Sequence, residues 1–278
     1  MTRFRSSDQI IDHRNHPQIK RIRRLHERAE RNRTGLFYVE GMRFVARAFR
    51  YHVPIEALVV CQSQLTHAFA RHLARRQRLI GTPVLNVTPE VMATLALADE
   101  PQGIGAVVRQ RWSSLESIDP WEADSWLMLE TVRSPGNLGT ILRTSEAVGA
   151  SGLILVGDSV DPYDPATVRA GMGSLFSQSL VRTCLREFSQ WRFRRRYTLV
   201  GTAPTGAMDY QAVDYHGPTV LLLGDERKGL STELQAICDV MVRIPMAGET
   251  DSLNLSVAAS LILYEVFNQR RRPSSTPL

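Results

Sequence analysis

The run Val220-Leu221-Leu222-Leu223 leaves no polar side for water. A strand with one wet face alternates apolar and polar residues, whereas a continuous apolar run suits a parallel sheet covered on both faces. Comparable segments recur through the second half of the chain, at 126–131, 153–156, 179–183, 197–202, 219–223 and 240–244. Helical spacing falls between and after them, over 138–148, 165–175, 186–194, 230–236 and 254–269. This alternation predicts an α/β domain built on a mostly parallel, open sheet, with its ligand at the carboxyl ends of the strands.

The first half is also α/β, but smaller and more basic. Short strands are expected at 36–40, 55–61, 82–87 and within 101–108, with helices at 15–33, from Gly41, at 66–78 and at 89–98 after a Thr88 cap. Residues 1–15 are polar and expected to be loose. Residues 109–124 form a polar, Trp-containing linker, and 271–278 is a low-complexity tail. The 278-residue chain carries a net charge of +6, unevenly placed. Residues 1–112 hold 19 basic and 9 acidic side chains, and 113–278 hold 15 and 19. An N-terminal half at +10 is expected to meet a polyanion. The helix at 15–33 reads as basic and amphipathic, with Ile19, Ile22, Leu25 and Ala29 inside and arginines outside. That pattern fits a solvated face and RNA contact equally well.

Several chemistries are excluded. Cys61, Cys184 and Cys238 are too few and too scattered for a disulfide framework or a metal site, and the seven histidines show no ligand spacing. No apolar run approaches the ~20 residues of a membrane span. These features lead to the expectation of a metal-free cytoplasmic protein with no membrane partner. Gly136-Asn137-Leu138-Gly139 breaks the dinucleotide-binding glycine pattern, and no phosphate-binding loop of the G-x-x-x-x-G-K-[ST] type is present.

The segment after the last apolar strand is different. Pro245 ends the 240–244 run, a loop of small polar residues follows, and a helix is expected from about Asn254. Its Val257, Leu261 and Tyr264 keep helical spacing with Ala258, Ile262 and Glu265 on a largely buried cylinder. Asp251, Ser252 and Asn254 supply more capping side chains than one helix start requires. The surplus suggests a ligand-holding loop, the alternative being redundant caps.

Two further stretches, E-T-V-R-S-P-G-N-L-G-T-I-L-R at 130–143 and G-D-E-R-K-G at 224–229, precede that loop in order. The three together resemble the motifs of the SpoU (TrmH-type) RNA 2′-O-methyltransferases of the SPOUT superfamily. The first motif is matched by Asn137, Gly139 and Arg143. The second is matched by Gly224, Glu226 and Gly229, and the third by Ile244, Pro245, Met246, Ser252, Leu253 and Asn254. The motif resemblance spans residues 123–270. Phrases around 35–43 and 101–108 are similar to the ribosomal-protein-like RNA-binding domain found before many SpoU domains, so an RNA-binding domain is expected over 15–110.

The resemblance implies an α/β-knot fold, with a trefoil knot near the C-terminus that no periodicity in the sequence reveals. It implies S-adenosylmethionine as cofactor, RNA as substrate (ribosomal RNA ahead of tRNA), and a homodimer. Thr202, Ala203, Gly224, Glu226, Ile244, Met246, Ser252, Leu253 and Asn254 would line the cofactor. Glycines 201, 224 and 248 would allow close backbone approach. The catalytic set would be Asn137, Arg143, Glu226, Ser252 and Asn254. Arg143 would orient the ribose hydroxyl and stabilise a developing alkoxide, since a guanidinium is a poor base. Asn137 and Arg143 are about 1.7 helical turns apart, so they do not share a helix face. They would meet at one pocket through a loop position for Asn137 or across a dimer. Arg169 and Phe176 resemble a family segment that faces RNA, from which Gln178-Ser179 departs. Two alternatives are a non-catalytic RNA-binding protein that keeps the fold and a methyltransferase acting on a base.

Overall fold

The computed structural model describes residues 4–96, 101–118 and 125–271. The end of the expected helix at 97–98, linker residues 119–124 and the tail from 272 lie outside the described residues. The chain forms two compact units, Met1–Arg111 with Tyr163–Phe176, and Trp112–Pro162 with Ser177–Leu278.

In the first unit, β1 (Ser7–Ile11), β2 (Leu36–Glu40), β3 (Ile55–Val60), β4 (Val84–Val87) and β5 (Ile104–Arg109) form one sheet in the order β1-β4-β3-β5-β2. Its β1, β4 and β3 are parallel, whereas β5 runs antiparallel to β3 and β2. The helices are α1 (Pro17–Arg24), α2 (Arg28–Thr34), α3 (Met42–Arg50), α4 (Ala68–Leu79) and α5 (Pro89–Leu95). Two expectations fail here. Within the polar start of the chain, Ser7–Ile11 form an edge strand, because β4 offers a free edge to pair with. The helix expected at 15–33 is two helices: α1 is capped at Leu25, and α2 starts after an extended Glu27. The cause is Arg31. It is buried rather than on a wet basic face, its guanidinium donates to the Leu25 and His26 carbonyls that close α1, and it pairs with Asp164 at 3.1 Å.

The second unit has a seven-stranded, all-parallel sheet. Its strands are β6 (Ser125–Glu130), β7 (Gly152–Val156), β8 (Ser179–Thr183), β9 (Thr198–Thr202), β10 (Met208–Asp209), β11 (Thr219–Leu223) and β12 (Val240–Arg243), in the order β10-β12-β9-β11-β6-β7-β8. Every residue of β11 is buried, as an apolar run requires when helices cover both faces. The helices are α6 (Pro135–Ala147), α7 (Pro165–Ala170), α8 (Leu185–Arg194), α9 (Thr232–Ala236) and α10 (Leu255–Arg271). Of these, α7 belongs to the first unit. It is shorter than the expected 165–175 because the chain reverses at Met172 and Gly173, both left-handed with φ of 51° and 83°. Tyr163 packs tilted against Phe37 and Phe176 stacks on it, at ring distances of 4.8 and 6.1 Å. The RNA-facing reading of Phe176 therefore fails, since the ring is a core residue. Cutting the chain near residue 110 would strip these rings of cover, so the first unit cannot be removed cleanly by truncation.

The last helix carries another correction. Ala259, Ile262, Leu263 and Val266 are its buried face, while Val257, Leu261, Tyr264 and Phe267 are 47%, 38%, 46% and 36% exposed. The apolar cylinder is covered on one side only.

Candidate active site

Three adjacent parallel strands, β12, β9 and β11, end on the same side of the sheet, and the loops that leave them enclose a cavity of about 410 Å³. Parallel strands place all their carboxyl ends together, which is where such sheets bind ligands. Thr202 and Ala203 come from the end of β9, Gly224 and Glu226 from the loop after β11, and Ile244, Met246, Ser252 and Leu253 from the loop after β12. All eight line the cavity. Leu223, Ile244, Leu253 and Ala258 give it apolar wall, and Glu226 and Asp251 give it carboxylates.

The glycines serve packing. A Cβ on Gly224 would lie 2.0 Å from the Gly229 carbonyl carbon, and one on Gly201 would lie 2.5 Å from the Met241 sulfur. These positions let the chain close on itself, while nothing lies within 4 Å of a Cβ on Gly248. The loop bearing Glu226 is tied at both ends. The Asp225 and Gly229 backbones exchange two hydrogen bonds, and the Asp225 carboxylate accepts from the Arg227 and Lys228 amides. Arg133 reaches the same carboxylate at 2.7 Å from the loop after β6. Arg133, with the two amides, holds the Asp225 carboxyl down to about 2, so this tie stays ionised through neutral pH. Neither residue stood out in the sequence, since each lies beside a motif position. Thr131, just upstream, is left-handed at φ 60°, a strained conformation for a β-branched residue.

Asn137 lies inside α6, the third residue after its Ser134 cap, and so is not in a loop. Its side-chain amide donates to Glu226 Oε1, and its Oδ1 accepts from Asn254 Nδ2 at 3.2 Å. One residue from each motif thus meets at the edge of the cavity. Asn254 has a second task, as its Oδ1 accepts from the Ser256 amide at 2.9 Å and hydroxyl at 2.6 Å, capping α10. Arg143 is not part of this cluster. It lies six residues along α6 and is exposed, so the two first-motif residues point apart within one chain. Gln178, where the sequence departs from the family segment, bonds the buried Ser145 hydroxyl at 2.8 Å and the Ala150 carbonyl at 3.2 Å. It locks β8 to α6.

Asn254→Asp separates the two tasks of this residue. The carboxylate keeps the cap acceptor but has no donor for Asn137. Thermal stability is expected to stay within about 0.5 kcal/mol while the activity of the site collapses. Asn254→Ala should lose about 1 kcal/mol as well as activity. Melting curves with an activity assay decide this, and full activity in the Asp variant would remove Asn254 from the chemistry.

Comparison with known proteins places the chain among relatives. The SpoU rRNA Methylase family model matches residues 124–264, and an MRM3-like substrate binding domain model matches residues 16–106. A 23S rRNA (uridine(2479)-2′-O)-methyltransferase of Streptomyces viridochromogenes is 37% identical over 262 residues, covering 91% of this chain and 90% of that protein. The 23S rRNA (guanosine(2553)-2′-O)-methyltransferase RlmP of Bacillus subtilis is 26% identical, covering 90% of this chain and 95% of that protein. The crystal structure of an AdoMet-bound rRNA methyltransferase from Sinorhizobium meliloti superposes with a TM-score of 0.87 at 37% identity, over 94% of this chain and 97% of that one. With the family model matched over residues 124–264 and these relatives matched along nearly its whole length, the chain belongs to the SpoU rRNA Methylase family.

Proposed function

We propose that this protein transfers a methyl group from S-adenosylmethionine to a ribose 2′-hydroxyl of ribosomal RNA. The observation that carries the reading is the convergence of Asn137, Glu226 and Asn254 beside a cavity walled by the second and third motifs. The cavity fits the cofactor's chemistry, with apolar wall for a purine and carboxylates for cationic groups. Bound there, S-adenosylmethionine supplies an electrophilic methyl group on a positively charged sulfur. Asn137 holds Glu226 at the cavity edge, and Asn254 fixes Asn137 against the start of α10. Ser252, exposed on the same loop, offers a hydroxyl to cofactor or RNA. Arg143 binds the RNA phosphate and orients the attacking hydroxyl, work that suits a permanently charged, forked donor.

The same proposal includes a homodimer. Val257, Leu261, Tyr264 and Phe267 recur every three or four residues, so they form one apolar stripe along α10. Beside it α6 is anchored by the Thr144–Ser260 hydroxyl contact at 3.0 Å. Pairing two such faces would cover the stripe and carry Arg143, next to Thr144, toward the partner's cavity. That resolves the divergence of Asn137 and Arg143 on one helix. Among the described residues no helix is long and apolar enough to cross a membrane. We place the protein in the cytoplasm, where its RNA is.

The test is transfer of label from methyl-labelled S-adenosylmethionine to ribosomal RNA, run with and without EDTA. The described residues include no cluster of His, Cys, Asp or Glu suited to a metal ion, so the rate is expected to survive the chelator. Calorimetric binding of the cofactor with no transfer to any RNA would favour the non-catalytic RNA-binding reading.

A further inference from the structure

The first unit holds a cleft of about 460 Å³ whose residues have no part in the proposed methyl transfer. The start of α3 and the turn after α7 both contribute to it. The two are packed together, since a Cβ on Gly173 would lie 2.9 Å from Arg47 Cδ and 3.4 Å from Phe44 Cδ1. Met42, Phe44, Val168 and Met172 give the cleft its apolar surface. Arg43 and Arg169 add two exposed guanidinium groups to its lining. Gln102 Oε1 accepts from the Met42 amide at 3.0 Å, which sets the side chain and turns its NH₂ to donor duty. Glu40, 8% exposed, also lines the cleft.

We infer that this cleft receives one unstacked nucleotide of the substrate RNA. The inference rests on the RNA-methyltransferase reading and adds a binding site to it. Its size falls within the ~300–1,000 Å³ range of small-ligand sites. Thioether and aromatic surfaces suit the flat faces of a base, and single-stranded RNA is read by splaying bases onto such surfaces. An amide donor and a carboxylate acceptor match the mixed hydrogen-bonding edge that every base presents. Two arginines provide the phosphate contacts that flank a base, and Arg43 belongs to a half-chain with an excess of ten positive charges. A cleft for an acidic peptide would use the arginines but would have no need of the flat apolar wall.

The experiment uses the full-length protein and a short single-stranded oligoribonucleotide containing 4-thiouridine. Ultraviolet cross-links are expected on residues 42–44 or 168–172. Met42→Trp fills the cleft while keeping both arginines, and should weaken oligoribonucleotide binding about tenfold, the size of one lost stacking contact. Arg43→Ala/Arg169→Ala should weaken it at least as much and flatten its salt dependence. A circular-dichroism spectrum and melting curve matching wild type show that each variant is folded in both units, and unchanged S-adenosylmethionine affinity shows that the second unit's cavity is intact. Wild-type RNA affinity in Met42→Trp overturns the inference, as does a loss confined to the arginine variant, which would lay RNA across a charged surface. A polyglutamate peptide that needs the open cleft when RNA does not would also overturn it. Methyl transfer by the wild-type protein is measured alongside. Its absence with cleft-dependent RNA binding would remove the enzymatic reading and leave the cleft, and transfer without cleft dependence would do the reverse.

Discussion

Arg143→Ala is expected to lower methyl transfer by about 10²–10³-fold, the usual loss when one preorganised donor to a developing oxyanion is removed. S-adenosylmethionine should still bind within about twofold of wild type, because Arg143 acts on the RNA and does not line the cofactor cavity. The separation follows from position: Arg143 is exposed on α6, outside the lining of the cavity made by the second and third motifs. Stability should hardly change for a side chain on a helix surface. Arg143→Lys goes further, since it keeps the charge and loses the planar fork. Turnover near the alanine level would assign the work to bidentate geometry, and turnover near wild type would assign it to charge. Wild-type turnover in Arg143→Ala would remove this residue from the catalytic set.

The second large effect is expected on α10. Leu261→Glu/Tyr264→Glu places two carboxylates per chain in the apolar stripe, four in a symmetric pair. Like charges brought together in an interface cost several kcal/mol, so self-association should weaken by about 100-fold or more. Both residues are already 38% and 46% exposed, so the monomer should fold as before. If Arg143 acts on the partner's cavity, activity disappears together with the dimer. Sedimentation and a transfer assay on the same samples read both, and a fully active monomer would show that each chain completes its own site.

The contrast between these two elements shows what the sequence could carry. The centre of the second-unit sheet is legible because its strands are apolar, and Val220–Leu223 have only one way to be buried on both faces, whereas the two-residue edge strand β10 carries no such signal. The motif residues were legible for a different reason, a resemblance that comparison with known proteins then supported. Their grouping follows from parallel strands ending on one side, which is how Thr202, Glu226 and Ser252 come to line one cavity. Apolar spacing on α10 suggests a buried cylinder because periodicity reports which residues avoid water, not what covers them. One chain covers Ile262 and Val266 and leaves Leu261 and Tyr264 bare. Charge misled in the same way at Arg31, which reads as solvated until carbonyls and Asp164 from elsewhere in the chain close around it. The edge strand β1 and the Arg133–Asp225 tie were invisible, since each depends on partners distant in sequence.

The product expected of this enzyme is ribosomal RNA methylated on a ribose 2′-oxygen. The direct measurement maps 2′-O-methyl groups in ribosomal RNA from cells with and without this protein, then treats the deficient RNA with purified protein and S-adenosylmethionine. One alkali-resistant linkage should be missing without the protein and restored by the wild-type enzyme but not by Arg143→Ala. An unchanged 2′-O-methyl map, or a restored methyl group that lies on a base, would contradict this expectation.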